Sequence, residues 1–264
     1  MNGFNDSSIT SYDPLELNEQ AKQIVVMRRD SIEERKYYRF RGGKWYGGIA
    51  TADAVGCNMK CKFCWSWKPR DTPTKYGSFL SPNAAYERLC SIIKRRGYDK
   101  VRISGGEPTI SRGHLSSLIE LFTENRVNFI LETNGILIGS DKRYAEDLSR
   151  FSNLHVRVSI KGVNEEEFTY LTGARPSFFS VQLRALKNLL DYGVSCHPAV
   201  MLSFSPEDGL KKISERLEET DVRLISDLEE EYVFLYPHVV ELLRRHGLKP
   251  RVSYYPDEIR REFI

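Results

Sequence analysis

The chain has 264 residues, of which 41% are hydrophobic and 28% charged, and this composition is ordinary for a globular enzyme. Its 39 basic and 36 acidic residues leave a net charge of +3, a much weaker signal than the concentrated positive face of a nucleic-acid-binding protein. Five cysteines, three of them clustered, are too few and too unevenly placed for a secreted disulfide scaffold, so a cytoplasmic location is predicted.

Residues 1–45 are interpreted as an N-terminal extension lying over a main domain of residues 46–264. The first twenty residues are polar and acidic, and no later run approaches the roughly 20 apolar residues that span a bilayer, so neither a signal peptide nor a membrane anchor is expected. A short helix is predicted around residues 14–26. The extension ends in the basic, aromatic stretch RKYYRFRGGKWY.

From residue 46 onward, short apolar strands alternate with longer amphipathic helices, which favours βα units and a parallel sheet. Strands are predicted near residues 46–53, 100–104, 128–132, 155–161, 195–203 and 222–226. Helices are predicted near residues 82–96, 113–125, 141–151, 176–191, 206–219 and 236–246, with Ser81 and Ser205 as N-caps of the first and fifth.

Six βα units cannot close a barrel of the eight-stranded type at the same strand tilt, so the fold class predicted is α/β, an open partial barrel. A doubly wound sheet is the alternative. In both architectures the loops that carry chemistry gather at the carboxyl ends of the strands.

Three cysteines, Cys57, Cys61 and Cys64, lie in the run CNMKCKFC directly after the first predicted strand. Thiolates at this spacing can each bind one iron of a [4Fe–4S] cluster, which leaves the fourth iron open. A zinc site is the alternative, and it needs a distant fourth ligand such as His114 or His197. The remaining cysteines, at positions 90 and 196, stand alone and are expected to be inert, so a single cluster is predicted.

The C-x3-C-x2-C pattern, with the aromatic Phe63 before its last cysteine, resembles that of radical S-adenosylmethionine (SAM) enzymes. The resemblance implies a partial (β/α)6 barrel and a cluster whose open iron is chelated by the amino and carboxylate groups of SAM. It also implies reductive cleavage of SAM to a 5′-deoxyadenosyl radical, and an electron donor such as ferredoxin or flavodoxin.

A second motif agrees with the first, because the predicted strand KVRIS runs into Gly105, Gly106, Glu107 and Pro108. This resembles the GGEP segment that binds the methionine end of SAM in that family. Glycines let the backbone approach a ligand closely, and a carboxylate can accept a hydrogen bond from an amino group. A plain strand-to-helix turn is the alternative.

The next three strands supply weaker candidates for SAM contacts, and the resemblance again implies their role. Asn134 follows the third strand within TNG, although Asn-Gly is also a common turn. By the two-residue period of a strand, Ser159 and Lys161 on the fourth face the barrel interior, as does Met201 on the fifth. The lysine can equally reach solvent, and the methionine can equally fill the core.

Two arginines are predicted to face the same interior, Arg102 on the second strand and Arg157 on the fourth. They indicate an anionic or carboxylate-bearing substrate, or else they pair with Glu132 and Glu107. His197 shares the inward face of the fifth strand, and a structural histidine is the favoured interpretation there.

The stretch from Ser159 to Val194, and the closing VVELLRRHGLKPRV, resemble glycyl-radical-enzyme activases such as pyruvate formate-lyase activating enzyme. This implies a protein substrate that loses hydrogen from a glycine α-carbon. A radical SAM enzyme that modifies tRNA or other RNA is the alternative, because RKYYRFRGGKWY could grip phosphates and stack bases. A non-catalytic iron–sulfur electron-transfer protein would fit the cysteines but would leave the GGEP segment unexplained.

Overall fold

The computed structural model describes residues 11–258. The strands are β1 Val26–Arg29, β2 Ile32–Gly43, β3 Ile49–Ala54, β4 Ser78–Leu80, β5 Lys100–Gly105, β6 Asn128–Thr133, β7 Leu154–Ile160, β8 Ser195–Met201, β9 Glu229–Glu231, β10 Val233–Phe234 and β11 Ser253–Tyr254. The helices are α1 Pro14–Val25, α2 Trp67–Asp71, α3 Pro82–Arg96, α4 Arg112–Glu124, α5 Ile136–Ser140, α6 Lys142–Leu148, α7 Glu165–Thr172, α8 Ser177–Asp191, α9 Gly209–Thr220, α10 Arg223–Ser226 and α11 Pro237–Arg245.

Six parallel strands form the body of the sheet in the order β3-β5-β6-β7-β8-β9. Each neighbouring pair is joined through a helical connection, and the two outer strands, β3 and β9, are not paired with each other in the described part of the chain. The predicted α/β partial barrel is therefore confirmed.

The two faces of each parallel strand carry different side chains. On β7, Val156, Val158 and Ile160 are fully buried in the main core against the helices, while Arg157 and Ser159 point to the opposite, inner face. Each buried aliphatic side chain contributes roughly 1.5–3 kcal/mol by leaving water. The alternation predicted for this strand is confirmed, and it places polar side chains inside the barrel.

The N-terminal residues extend the sheet. The predicted short helix is confirmed as α1, which begins after the side-chain cap of Asp13 and has Pro14 in its first turn. The long strand β2 then pairs antiparallel with β1, β3 and β4. Pairing with β3 makes β2 continuous with the main sheet, and the domain boundary near residue 45 stays a prediction.

Near the C-terminus the predicted sixth strand is wrong, and so are the predicted start and cap of the fifth helix. Residues 223–226 form α10, and the sixth parallel strand is Glu229–Glu231. Glu229 and Glu231 pair with cations inside the barrel, so this strand carries no apolar signal. Helix α9 begins at Gly209 and not at residue 206. Ser205 does not cap it, because its hydroxyl donates to Glu167 at 2.6 Å.

Aromatic side chains bridge the open seam between the first and last parallel strands. The ring of Trp45, just before β3, packs on Phe234 of β10 with centroids 5.8 Å apart. After β3 in the chain, the indole of Trp67 in α2 donates to the backbone oxygen of His238 at 3.0 Å. No described helix combines the length and apolarity needed to cross a membrane, and the cytoplasmic location stays a prediction.

Candidate functional site

The loop after β3 carries the three cysteines and is anchored at three points. The backbone N–H of Lys60 donates to the hydroxyl of Tyr12 at 2.7 Å, and that of Lys62 donates to the Leu171 oxygen at 2.9 Å. Buried Arg70 donates to the backbone oxygen of Cys61 at 2.6 Å. The loop is therefore held from the N-terminal segment, from α7 and from α2.

All three cysteines are free thiols; Cys61 is buried, and Cys57 and Cys64 are partly buried. Burial, with a smaller contribution from the nearby charge of Glu107, raises the pKa of Cys57 well above its usual range. Burial also raises the pKa of Cys61 to about 11. A metal bound here must displace the thiol protons, as metal binding to cysteine generally does.

The arrangement does not suit a single zinc ion. In residues 11–258, no three His, Cys, Asp or Glu side chains converge closely enough to hold one metal ion, as tetrahedral zinc requires. The two histidines considered as a fourth ligand are engaged elsewhere. His114 Nε2 lies 2.9 Å from the Tyr37 hydroxyl, and His197 Nε2 lies 3.0 Å from Glu229.

Amide groups surround the sulfur of Cys57. Asn134 Nδ2 lies 3.8 Å from Cys57 Sγ and donates to Asn58 Oδ1 at 2.7 Å. The Nδ2 of Asn58 is buried and has no hydrogen-bond partner in the described structure. A buried donor without an acceptor costs about 1–3 kcal/mol. Thiolate or cluster sulfur would supply such an acceptor, so the residues here fit an iron–sulfur group.

The glycine segment after β5 packs directly on the start of the cysteine loop. Gly106 N donates to Ala54 O at 2.8 Å, and Glu107 N donates to Gly56 O at 2.9 Å. A Cβ on Gly106 would lie 2.1 Å from Gly56 O, so no side chain fits there. Gly105 has φ +87°, a conformation that glycine tolerates best. The two motifs, distant in sequence, are in contact.

The carboxylate of Glu107 is 2% exposed and accepts hydrogen bonds from its own chain. Oε1 accepts from the backbone N–H of Thr109 at 3.1 Å and from the hydroxyls of Thr109 and Thr133 at 2.6 and 2.7 Å. Oε2 accepts from Asn134 N at 2.8 Å. Glu107 thus fixes the turn that carries Asn134, while its backbone oxygen accepts from Arg35 at 3.2 Å.

Two more predicted residues lie together at the end of β7. The hydroxyl of Ser159 donates to Glu231 at 2.8 Å, and the ammonium of Lys161 contacts both Ser159 and Glu231, the latter at 3.3 Å. Lys161 Nζ also lies 5.8 Å from the ring centroid of Phe63. Glu231 is a residue that the sequence interpretation missed, and its carboxylate neutralises the lysine.

Phe63 and Met201 are both in the hydrophobic core. Phe63 is 7% exposed and packs against Phe204 with centroids 5.4 Å apart, and Met201 is 3% exposed. The Phe63 ring also lies near the ammonium group of Lys161. Met201 lies at the end of β8, among apolar neighbours.

The two inward arginines are paired with carboxylates. Arg102 Nη1 lies 2.6 Å from Glu132, as one sequence alternative proposed. Arg157 binds Glu229 through two hydrogen bonds of 2.8 and 2.7 Å. Glu107 is not its partner, because the carboxylate of Glu107 is occupied by Thr109, Thr133 and Asn134. Neither arginine offers an unneutralised charge to a substrate.

His197 belongs to a chain of hydrogen bonds at the amino ends of the strands. Its Nδ1 lies 2.6 Å from His155 Nε2, the two rings stack at 4.9 Å, and His155 Nδ1 lies 2.7 Å from the Ser195 hydroxyl. Burial, with the neighbouring His197, lowers the pKa of His155 to about 4. The structural interpretation of His197 agrees with these contacts.

A cluster that the sequence interpretation missed surrounds Asp53, which is fully buried on the inner face of β3. Arg39 and Arg41 on β2 both bind its carboxylate, with Nε–Oδ2 distances of 2.6 and 2.9 Å. Their guanidinium carbons lie 5.5 and 5.8 Å from the ring centroid of Trp65, the residue after Cys64. One signal was present: a single carboxylate within the otherwise small, uncharged strand IATADA.

Comparison with known proteins identifies relatives for most of the chain. A profile of the radical SAM superfamily matches residues 53–217. A GTP 3′,8-cyclase of Petrotoga mobilis is 30% identical over 143 residues, covering 53% of this chain and 41% of its own length. A probable GTP 3′,8-cyclase of Methanosarcina mazei is 25% identical over 221 residues, covering 81% and 59%. The matches span less than two thirds of either relative.

Solved structures resemble the fold. Native anSMEcpe with bound AdoMet and Cp18Cys peptide superposes with a TM-score of 0.54 at 21% identity, covering 70% of this chain and 50% of that one. Spore photoproduct lyase complexed with dinucleoside spore photoproduct gives 0.53 at 13% identity, covering 75% and 60%. At these identities the likeness concerns the fold alone.

Proposed function

This chain belongs to the radical SAM superfamily, which uses a [4Fe–4S] cluster and SAM, and on that premise we propose that Cys57, Cys61 and Cys64 bind the cluster. Bound together there, the cluster and SAM would supply reductive cleavage of SAM and removal of a hydrogen atom from the substrate. The observation that carries the proposal is the contact between the two motifs. Gly106 N bonds Ala54 O at 2.8 Å, and the chain leaves no room for a side chain there.

The residues of this chain bind and orient the cluster and SAM. Asn134 directs an amide donor toward the Cys57 sulfur, and the amide oxygen of Asn58 lies 3.9 Å from the same sulfur. Gly105 and Gly106 present half-buried backbone without side chains beside the cysteine loop for the methionine end of SAM, and Glu107 holds that segment against the Asn134 turn. Further SAM contacts are proposed for Phe63, Ser159, Lys161 and Met201.

The N-terminal segment helps to keep water from the cysteine loop. Tyr12 bonds Lys60 N, and its own backbone bonds Gly173 and Arg175 next to α7. Burial, and the neighbouring Cys61, raise the pKa of Tyr12 well above its usual range, so the phenol stays neutral. Met59 within the loop is 1% exposed. A covered loop protects a radical from side reactions with solvent.

We propose that an external protein such as ferredoxin or flavodoxin supplies the electron. Four cations form a basic patch on and beside the cysteine loop, and each lies over an aromatic ring: Lys60 on Tyr12, Lys62 on Tyr170, Lys68 on Trp67 and Arg245 on Trp67. The rings hold the cations in place while their charge faces outward. Such a patch complements an acidic electron-transfer protein and would speed its association.

An activase acting on a glycyl-radical enzyme is a second candidate for the overall reaction. The stretch that suggested it forms the end of β7 with α7 and α8, where Phe168, Phe179 and Leu186 are fully buried in the core. The resemblance is thus carried by packing positions. The matching sequence relatives quoted above are GTP 3′,8-cyclases, which favours a small-molecule substrate over a protein.

RNA modification has less support. The basic stretch that suggested it forms β2, in which Arg35, Lys36 and Tyr37 are buried, and Arg39 and Arg41 bind Asp53. A protein that only carries electrons would have no need for the close contact between Gly106 and the cysteine loop.

Anaerobic reconstitution tests the proposal. We expect about four irons per chain and SAM cleavage on reduction, and serine at Cys57, Cys61 or Cys64 should abolish both. Cys90→Ser and Cys196→Ser are matched controls that should retain both. Fully active protein that contains zinc, or an intact cluster that never cleaves SAM, would contradict the proposal. A glycyl radical formed on an added partner protein, detected by electron paramagnetic resonance, would establish the activase reaction instead.

A further inference from the structure

Ion pairs line the inner face of the barrel in three groups, and two of these groups are balanced in charge. Arg102 pairs with Glu132, one cation to one carboxylate. The second group joins two cations to two carboxylates: Arg157 and Lys161 with Glu229 and Glu231. In these two groups every cation has its own counter-charge.

The third group is unbalanced, because Arg39 and Arg41 share the single carboxylate of Asp53. Arg41 binds it through two atoms, with Nε–Oδ2 2.9 Å and Nη2–Oδ1 3.1 Å. Arg39 uses Nε alone, at 2.6 Å. The terminal nitrogens of Arg39 make no hydrogen bond to residues 11–258, and its side chain is 46% exposed. One positive charge with unused donors therefore remains here.

This surplus charge lies beside the cysteine loop. Asp53 is near the carboxyl end of β3, four residues before Cys57. Both guanidinium groups contact Trp65, which directly follows Cys64. Burial lowers the pKa of Arg41, but the hydrogen bond and charge of Asp53, with Tyr38 and Glu132, outweigh it and raise the pKa overall. The strand register places Arg41 opposite Thr51, whose hydroxyl accepts from Arg102 on the inner face of the sheet.

Asp53 does not need both arginines. The bidentate pair with Arg41 already satisfies the two oxygens of a buried carboxylate. A second guanidinium on the same oxygen adds repulsion between two cations, and this repulsion would be relieved by a second anion. Guanidinium groups match phosphate and carboxylate oxygens in geometry.

We propose that Arg39 and Arg41 bind an anionic group of the substrate, a phosphate or a carboxylate, next to the cluster site. This inference rests on the proposed function, because a substrate must lie beside the cysteine loop to lose a hydrogen atom there. The sequence assigned the preference for an anionic substrate to Arg102 and Arg157, but carboxylates neutralise both. The proposal assigns that preference to Arg39 and Arg41 of β2 instead. A bound anion restores equal charge around Asp53, beside the ring of Trp65 that both guanidinium groups contact.

Isothermal titration calorimetry on the protein without cluster or SAM tests the inference. Inorganic triphosphate and citrate serve as the phosphate and carboxylate probes, and GTP is titrated as a phosphate-bearing nucleotide. At least one probe should bind with a submillimolar Kd. Whichever of triphosphate and citrate binds more tightly identifies the anion class. Arg39→Gln should weaken binding about tenfold, the loss of one charge-assisted contact. Arg39→Lys should recover part of that loss.

Arg216→Gln is the matched control, because Arg216 also pairs with a carboxylate and is 36% exposed, but lies on the outer helix α9. The Arg216→Gln variant should bind each probe as tightly as the unchanged protein does. Thermal unfolding of Arg39→Gln should also be unchanged, since Asp53 keeps Arg41. The inference is overturned if no probe binds, or if Arg39→Gln binds as tightly as the control. These titrations need no SAM chemistry, so failure of the radical reaction would appear separately, as a cluster that does not cleave SAM.

Discussion

Glu107 and Asn134 are joined by a 2.8 Å hydrogen bond from the backbone N–H of Asn134 to the Glu107 carboxylate. The segment after β5 thereby sets the turn after β6. Since Asn134 in turn donates to Asn58 in the cysteine loop at 2.7 Å, two buried side chains, those of Glu107 and Asn134, connect all three motifs recognised in the sequence.

Replacing Glu107 by Gln should lower the stability of the protein without cluster by about 1–3 kcal/mol, measured by urea unfolding. An amide group would face the backbone N–H of either Thr109 or Asn134, and two donors cannot bond to each other. Glu165→Gln, which removes a carboxylate from an outer ion pair, is the control and should change stability by well under half of that amount. Unchanged stability together with lost SAM affinity would assign Glu107 to ligand binding instead.

A methyl group at Gly106 should separate the two motifs. In Gly106→Ala the added Cβ meets Gly56 O at 2.1 Å and Ala54 O at 2.9 Å, both of them backbone atoms that cannot rotate away. We expect most of the bound iron and the SAM affinity to be lost, as measured by iron content and equilibrium dialysis. Gly97→Ala tests backbone strain alone, because Gly97 has φ +70° and open space around it. This control should lose about 1 kcal/mol of stability and keep its iron; similar iron content in both variants would refute the packing argument.

Charge reversal in the basic patch should slow reduction by a protein donor. In the double variant Lys60→Glu and Lys62→Glu, the rate of cluster reduction by reduced flavodoxin should fall at least about tenfold at low salt. Reduction by dithionite should be unchanged, because a small reductant needs no docking surface. The double variant Lys187→Glu and Lys211→Glu, on the outer helices α8 and α9, is the charge-matched control. A rate with flavodoxin that does not depend on salt would show that the patch is not the docking surface.

Acidification should destabilise the protein through His114. Burial, partly opposed by the backbone oxygen of Glu33 and reinforced by Arg35, lowers its pKa from 6.5 to about 4. The unfolded state therefore binds a proton that the folded state refuses, so stability present above pH 6.5 is lost as the pH falls toward 4. The loss from this group approaches about 3 kcal/mol.

His114→Gln, which cannot gain the proton, should show a flatter dependence of unfolding free energy on pH between 6.5 and 4. Tyr37 and Glu33, which bond the imidazole nitrogens, stay in place as the reference environment. Parallel curves for the two proteins would mean that another group governs acid sensitivity.

The sequence predicted the elements whose chemistry is local. The alternation on β7, the Ser81 cap of α3, and the two motifs at strand ends each depend on neighbours within a few residues. The inner face was harder to predict, because its side chains are paired across strands. Glu229 and Glu231 lie in an acidic run without apolar alternation, yet they belong to the last parallel strand, with Arg157 of β7 and Lys161 just after it as partners.

The cluster around Asp53 was missed for the same reason. Arg39 and Arg41 belong to an antiparallel strand whose register with β3 places Arg39 opposite Asp53 and Arg41 opposite Thr51, so that both reach one carboxylate. The basic, aromatic stretch that contains them matched an RNA-binding pattern when read alone. Only the pairing of β2 with β3 shows that these arginines face the barrel.

The contact between Trp45 and Phe234 lies where no backbone hydrogen bonds set the width of the sheet. Where strands are hydrogen-bonded, the backbone holds their spacing near 4.8 Å. Across the seam the connection is made by side chains: two tilted rings with centroids 5.8 Å apart, and the bond from Trp67 to the His238 oxygen. Side chains of another size at these positions would alter the width of the seam while every strand register stayed the same, so the space available to a substrate can vary without a change in the sheet.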